Sequence, residues 1–310
     1  MKKTFEKLYW LLPLLGLILK FTTTIEWKFI FFPILFFLLI PDVVKFFKAK
    51  KNIKSKKENF NKEKYKAYYK TSALMFLNPI INWQSIVQLL GQLFLYLFDK
   101  RIEETKNIYI LPFNGKWDAV NGGTTQENSH SWDIITQRFA YDFVIIDAQE
   151  KSFKEEPNRI ENYYCYNQPI LASQKGVVID IRNNIRDYQK VGDYSVDWKT
   201  RHIAGNYITI KHENEEFSFY AHLKRNSMKV KKGDVVKEGQ HIANCGNSGN
   251  STEPHLHFQL MNRRNFFFGK SLKIKFENAI TQTRKEVEFI EKEIIVKNKK
   301  NCNQQELKRH

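Results

Sequence analysis

The sequence predicts an N-terminal α-helical membrane segment followed by an all-β domain, antiparallel and sandwich- or barrel-like. Two apolar stretches near the N-terminus, Leu8–Ile25 and Trp27–Val44, each run 18 residues, about the length that crosses a bilayer. From residue 106 the texture changes to short β-type runs broken by Gly, Asn and Asp. Charge also divides the chain, though nearer the N-terminus. Residues 1–72 carry 16 Lys, no Arg and 5 acids, hence 11 of the 17 net positive charges. The basic excess therefore lies beside the apolar stretches and not on the later domain, which argues against nucleic acid and for anionic headgroups or a cytoplasmic flank.

Five segments follow in order: a two-span anchor over 1–47, a Lys-rich linker over 48–72, an apolar helix within 73–105, a β domain over 106–299 and a polar tail over 300–310. No small-x-small cleavage site follows the first apolar stretch at Thr22–Thr24, so a retained anchor is expected rather than a secretory signal. Ala73–Phe98 reads as one long helix. Its Gln84, Gln88 and Gln92, spaced i, i+4, i+8, form a narrow polar stripe on an apolar cylinder. Both flanks of the two-span hairpin are basic, residues 45–70 holding 11 Lys against 2 Glu, which places both on the cytoplasmic side. A third span at 73–98 would put the later domain outside the cell. Asn78-Pro79 and Asn82 shorten the clean apolar part to about 86–98, a length suited to an interfacial or packed helix.

Strands are expected at 107–113, 176–182, 206–212, 217–223, 255–261, 271–278 and 287–296. Glu213–Glu216 reads as a hairpin loop, and Gly233-Asp234 and Glu238-Gly239 as turns bracketing Val235-Val236. Cys165, Cys245 and Cys302 make neither a disulfide framework nor a metal-site spacing. All eight histidines fall at or beyond residue 130, so any histidine-using site belongs to the later domain.

The most informative stretch is Gly246-Asn247-Ser248-Gly249-Asn250-Ser251-Thr252-Glu253-Pro254-His255-Leu256-His257-Phe258. On a strand, a period of two sets His255 and His257 on one face and turns Leu256 and Phe258 into the core. Paired imidazoles suit a metal ligand beside a proton-transfer group. Gly246, Gly249 and Asn250 read as a tight turn with positive φ. His202 and His212 read as surface or groove-lining residues, His241 as a turn residue and His310 as part of the tail, and Tyr207 as a strand aromatic that could reach an oxyanion.

This stretch, preceded by Tyr220-Ala221-His222-Leu223 and by Val230-Lys231-Lys232-Gly233-Asp234-Val235-Val236-Lys237-Glu238-Gly239-Gln240, resembles the lysostaphin and LytM type of zinc endopeptidase, the β-lytic metallopeptidases. Ala140-Tyr141-Asp142-Phe143 is similar to the region holding that family's zinc-binding aspartate. The resemblance spans about residues 108–295. It implies Zn2+ held by Asp142, His257 and one further histidine. Where the family's usual first ligand stands, four residues before the aspartate, this chain has Arg138, which stays protonated and cannot ligate. His130 is the candidate in its place. The resemblance also implies proton-transfer roles for His222 and His255 and peptidoglycan peptides as substrate; together with the apolar N-terminal stretches, this gives the expectation of a membrane enzyme whose peptidase domain is extracellular. The alternatives are a silent domain that binds wall peptides or regulates other hydrolases, and a lipoyl- or phosphotransferase-like carrier. The Pro-His-Leu-His-Phe motif suits a carrier poorly.

Overall fold

A computed structural model describes residues 62–298 apart from 278, 282 and 284. The expected anchor, most of the linker and the tail lie outside the described residues. What is described belongs to one compact unit, Asn61–His310.

The expected helix at 73–98 is instead the end of one helix and the whole of another: α1, Lys62–Met75, and α2, Pro79–Phe98. Pro79 causes the break, because its ring excludes the preceding residue from helical backbone, and Asn78 is extended at φ −94°, ψ 105°. Asn78 then caps α2, its Oδ1 accepting from the amides of Ile80 (3.1 Å) and Ile81 (3.3 Å). Its Nδ2 donates to the carbonyls of Trp198 and Thr200 and ties the cap to the β domain. At the other end Asp99 accepts from the buried ammonium of Lys270 at 2.6 Å.

The polar stripe of α2 faces the β domain. Gln84 donates to the Arg201 carbonyl and accepts from the Ile203 amide. Gln88 donates to Thr136 Oγ1, and Gln92 pairs with the Asp133 carbonyl and the Ile135 amide. Gln84 and Gln92 satisfy backbone groups of two loops, 198–204 and 131–139, that no strand completes, and Gln88 holds a side chain of the second loop. Gly91 lets the helix approach so closely that a Cβ there would sit 1.7 Å from the Phe267 carbonyl oxygen.

The β domain has thirteen described strands: β1 (Trp117–Asn121), β2 (Tyr141–Val144), β3 (Pro169–Leu171), β4 (Gly176–Arg182), β5 (Asn206–Lys211), β6 (Phe217–Leu223), β7 (Val235–Val236), β8 (His241–Asn244), β9 (Leu256–Met261), β10 (Ser271–Leu272), β11 (Ala279–Thr281), β12 (Glu286–Val287) and β13 (Ile295–Asn298). One antiparallel sheet runs β12-β11-β13-β1-β2-β9-β6-β5-β4-β7, with β10 beside β9, and β3-β8 form a second. The smaller sheet shares a core with the larger: Ile170, Ile242 and Ala243 pack with Phe113, Trp117, Phe143, Tyr220, Leu256 and Phe258. A second cluster around Phe217, Phe219 and Phe266 includes Phe267, the residue that Gly91 of α2 meets.

The strands expected at 176–182, 206–212, 217–223 and 255–261 are present within a residue or so, as is Val235-Val236 between its turns. Residues 107–113 make no regular strand, because Tyr109 bonds toward Lys275 and Ile110 toward Ser173, different neighbours one residue at a time. The 271–278 segment is a strand only over Ser271–Leu272. Residues 287–296 divide between β12 and β13, with Glu293 in a left-handed turn at φ 61°. His202 and His212, read as surface or groove-lining, are both buried and so not surface residues. His212 Nδ1 donates to the Lys175 carbonyl, and its Nε2 accepts from Ser218 Oγ.

Helix propensity alone would make Gly91→Ala stabilising by about 1 kcal/mol. The backbone contact at 1.7 Å reverses that sign, so thermal melts should show a lower Tm for Gly91→Ala, and a raised Tm would show that α2 is not held this closely. Burial lowers His212 to about 4, partly opposed by the bond to Lys175, and burial with the Arg182 charge lowers His202 to about 4. Each therefore takes up its proton more readily when unfolded. Stability from this source is complete above pH 6.5 and falls as pH drops from 6.5 toward 4, by at most about 3 kcal/mol per group. Tm measured across that window should fall less steeply in His212→Gln than in the parent.

Candidate metal and catalytic site

Strand register builds the site. Asp142 on β2 stands opposite His257 on β9, Asn121 on β1 stands opposite Asp142, and Ala221 on β6 opposite His257. One row of residues thus crosses four strands. On β9, Leu256, Phe258 and Leu260 enter the core while His257 and Gln259 take the other face, the alternation expected from the sequence.

His257 Nδ1 lies 2.9 Å from Asp142 Oδ1. His255 Nε2 lies 3.7 Å from the same oxygen, and His130 Nε2 lies 3.5 Å from Asp142 Oδ2. His222 stacks close by, with ring centroids 4.6 Å from His255 and 5.9 Å from His257. All five residues singled out in the sequence therefore meet in one place. His130 sits at the exposed mouth, His255 is half-buried, and Asp142, His222 and His257 are buried.

Three local features place these side chains. His222 has φ 57°, left-handed backbone inside a strand, where a β-branched or bulky residue is rarely found. That twist, and its amide bond to Ala204 O, sets its ring beside the row when strict alternation from Ala221 would turn it away. His130 is carried by a loop that Arg138 braces: Arg138 Nε donates to the Trp132 carbonyl, its guanidinium lies over the Trp132 ring, and Ser129 Oγ donates to Arg138 O. In the turn before His255, Gly249 has the expected positive φ of 87°, with no room for a Cβ against Gly205. Gly246 and Asn250 do not share that φ. Gly246 is required by contact instead, since a Cβ would meet the Lys224 backbone at 2.3 Å.

Second partners fix the tautomers. Gln259 Nε2 donates to the Thr136 carbonyl at 2.9 Å, which turns its Oε1 toward His257 Nε2 at 3.0 Å. An amide oxygen only accepts, so His257 Nε2 carries a proton and Nδ1 faces Asp142. His222 Nδ1 donates to the Ser248 carbonyl at 2.8 Å, and His255 Nδ1 to the Glu253 carbonyl at 2.9 Å, leaving both Nε2 atoms as acceptors. Asn121 Nδ2 donates to Asp142 Oδ2 at 3.2 Å. Burial opposes ionisation of Asp142, but the His257 hydrogen bond and the charges of His255, His257 and His130 hold it far below the carboxylate range. Burial lowers His257, yet the Asp142 bond and charge outweigh it and raise the group. Burial, reinforced by His255 and His257, keeps His222 well below its ordinary value and hence neutral at pH 7.

The donor types suit a zinc ion, which takes imidazole nitrogen and carboxylate oxygen. His257 Nδ1 and His130 Nε2 approach different oxygens of Asp142, at 2.9 and 3.5 Å, and among the described residues no three such side chains already surround one point as a metal centre.

Comparison with known proteins adds an independent line. Residues 160–268 match the family model described as peptidase family M23. Over that third of the chain the sequence is similar to M23 peptidases. The match includes His222, His255 and His257 and stops short of His130 and Asp142, which the fold brings in. Over 95 residues the chain is 37% identical to peptidoglycan DD-endopeptidase ShyA of Vibrio cholerae, covering 31% of this chain and 18% of ShyA. Over 59 residues it is 47% identical to lysostaphin of Staphylococcus simulans, covering 19% of this chain and 12% of lysostaphin. The chain thus spans under a fifth of the length of either relative. The solved catalytic domain of lysostaphin is 21% identical, with 51% of this chain and 88% of that one covered at a TM-score of 0.30.

Reading the sequence missed Asn121, Thr136 and Gln259. Gln259 was within reach, lying two residues past His257 on the same strand face. Nothing local marks Asn121 or Thr136, which only strand and loop packing bring in. Tyr207 does not join the site: its hydroxyl donates to Asp180. His241 lies on β8 and pairs with Asn244.

Proposed function

We propose that the chain is a membrane-anchored zinc endopeptidase that hydrolyses peptide cross-links of bacterial cell-wall peptidoglycan. Residues 106–299 form its peptidase domain, and the N-terminal segment anchors it with that domain outside the cell. The observation that carries this reading is the placing of His257 Nδ1 and His130 Nε2 at 2.9 and 3.5 Å from the two oxygens of Asp142, beside two further imidazoles. The substrate class is supported by the M23 match and by relatives named peptidoglycan DD-endopeptidases.

His130, Asp142 and His257 hold the ion in this reading, and zinc there supplies Lewis acidity to a water and to the scissile carbonyl. The Nε2 atoms of His222 and His255 face the same space. One would accept a proton from the attacking water, and the other, carrying a proton of its own, would donate it to the leaving amine. His222, kept neutral by burial, suits the accepting role. Gln259 Oε1 accepts a hydrogen bond from His257 Nε2, which would leave Nδ1 as the nitrogen able to ligate.

Full-length protein should bind one zinc, release new amino termini from purified wall peptides, and stop when chelated. Asp142→Ala should lose the metal. His222→Ala should keep zinc and lose turnover by roughly 10^2–10^4-fold. Retained activity in either variant would overturn the assigned roles. Gln259→Leu should weaken zinc binding about 10–100-fold by direct titration, whereas Gln259→Glu, which still accepts from Nε2, should retain most of it. Equal affinity in the Leu variant would show that His257 needs no such partner.

A further inference from the structure

The face of α2 turned away from the β domain bears Trp83, Ile86, Leu90 and Leu97, which are 65%, 49%, 40% and 60% exposed. Spacings of three, four and seven residues put all four on one side of the helix. Phe76 and Phe98, at 65% and 74%, continue the strip past its ends. Residues 71–98 contain no charged side chain. A strip of this length is more apolar than a water-facing helix normally presents. Among the described residues, Pro79–Phe98 is the one helix long and apolar enough to cross a membrane.

We infer that this strip is a bilayer-insertion face, with α2 lying flat among the lipid headgroups and not crossing as a third span. The opposite side of α2 decides against crossing. From Asn78 to Asp99 it is hydrogen-bonded to the β domain through Gln84, Gln88, Gln92 and the Asp99–Lys270 pair. A helix of 20 residues is about 30 Å long, the thickness of the hydrocarbon layer. Crossing would carry Asp133, Arg201 and Lys270 into that layer beside it, at the cost of a buried charge for each.

Charge on the flanks selects lipid as the occupant. Residues 45–70 carry 11 Lys against 2 Glu, and Lys100 and Arg101 follow α2. Such a surface attracts anionic headgroups, whereas a second copy packed face to face would oppose two sets of lysines. Trp83 and Tyr96 are side chains that favour the headgroup level. The sequence before α1 holds two stretches of spanning length, which would deliver α2 to a membrane surface; with α2 not crossing, one of the two crossing alone keeps the peptidase domain outside the cell.

This inference deepens the peptidase reading and rests on it only for its consequence. The loops on the inner side of α2 include 131–139, which adjoins His130, and 202–204, whose Ala204 carbonyl accepts from the His222 amide. One helix diameter, about 10–12 Å, therefore separates the lipid face from loops that shape the site, and the substrate is wall peptide next to the membrane.

The test uses full-length protein in vesicles of phosphatidylcholine and phosphatidylglycerol. In a Trp83→Phe parent, Ile86→Trp, Leu90→Trp and Leu97→Trp report depth through quenching by phosphatidylcholines brominated at shallow or deep acyl positions. Emission is read as the difference from the parent. Shallow bromines should quench all three positions equally, roughly two-fold or more over deep ones, as expected for a helix in the interfacial plane. Depth varying along the helix, with the bilayer centre nearest Leu90, would make it a span and overturn the inference. So would absence of lipid quenching at all three, which is the result if residues 1–60 or a second copy cover the strip. Hydrolysis of soluble wall peptide by the same variants in detergent reports the peptidase reading separately. Hydrolysis without quenching sinks only the lipid face, and quenching without hydrolysis in the wild type sinks only the peptidase.

Discussion

The cross-strand contact between Asp142 and His257 is the constraint around which the domain is organised. A buried carboxylate is costly unless its oxygens are hydrogen-bonded and its charge is matched. Here the antiparallel pairing of β2 with β9 sets the two residues side by side, and His257 Nδ1 meets Asp142 Oδ1 at 2.9 Å. Asn121 and His130 approach the other oxygen from β1 and from the preceding loop. A one-residue slip in register would send His257 into the aromatic core and Phe258 into the cleft. The apolar alternation of Leu256, Phe258 and Leu260 is therefore what secures the polar row on the opposite face.

From that pair a continuous chain of hydrogen bonds leads outward. His257 bonds Gln259, Gln259 bonds the Thr136 carbonyl, and Thr136 Oγ1 accepts from Gln88 on α2. The helix thus completes the loop that seats the site's orienting amide. It is held through glutamines because loop backbone needs donors and acceptors, which an apolar helix face would not provide. The two sides of α2 consequently differ in kind: one meets polar backbone, and the other meets no part of the described protein along most of its length.

Much of this was legible in the sequence because it is local. Period-two alternation marked β5, β6 and β9, turn dipeptides bracketed β7, and the Gln84–Gln88–Gln92 stripe marked a helix with one polar side. His222, His255 and His257 stood out through their flanks. Other features depend on partners remote in the chain. Short strands such as β2 and β8 carry too few residues to display a period, and 107–113 looks like a strand but divides its bonds between two neighbours. The division of the expected 73–98 helix follows from Pro79, a signal present in the sequence and outweighed there by the apolar run.

By itself the sequence determined which chemistry the chain can attempt: a strand whose alternate residues are imidazoles, a carboxylate in a second β segment, and a basic, apolar N-terminal region. Those properties are set by residue type and spacing. Tertiary structure decided which groups meet. Arg138 occupies the usual ligand position, and only the looping back of residues 129–138 brings His130 to Asp142. Only the left-handed twist at His222 turns that ring toward the row, and only packing against the 131–139 and 198–204 loops reveals what the glutamine stripe is for. Such outcomes depend on contacts between residues tens to more than a hundred positions apart, and no window along the chain contains both partners.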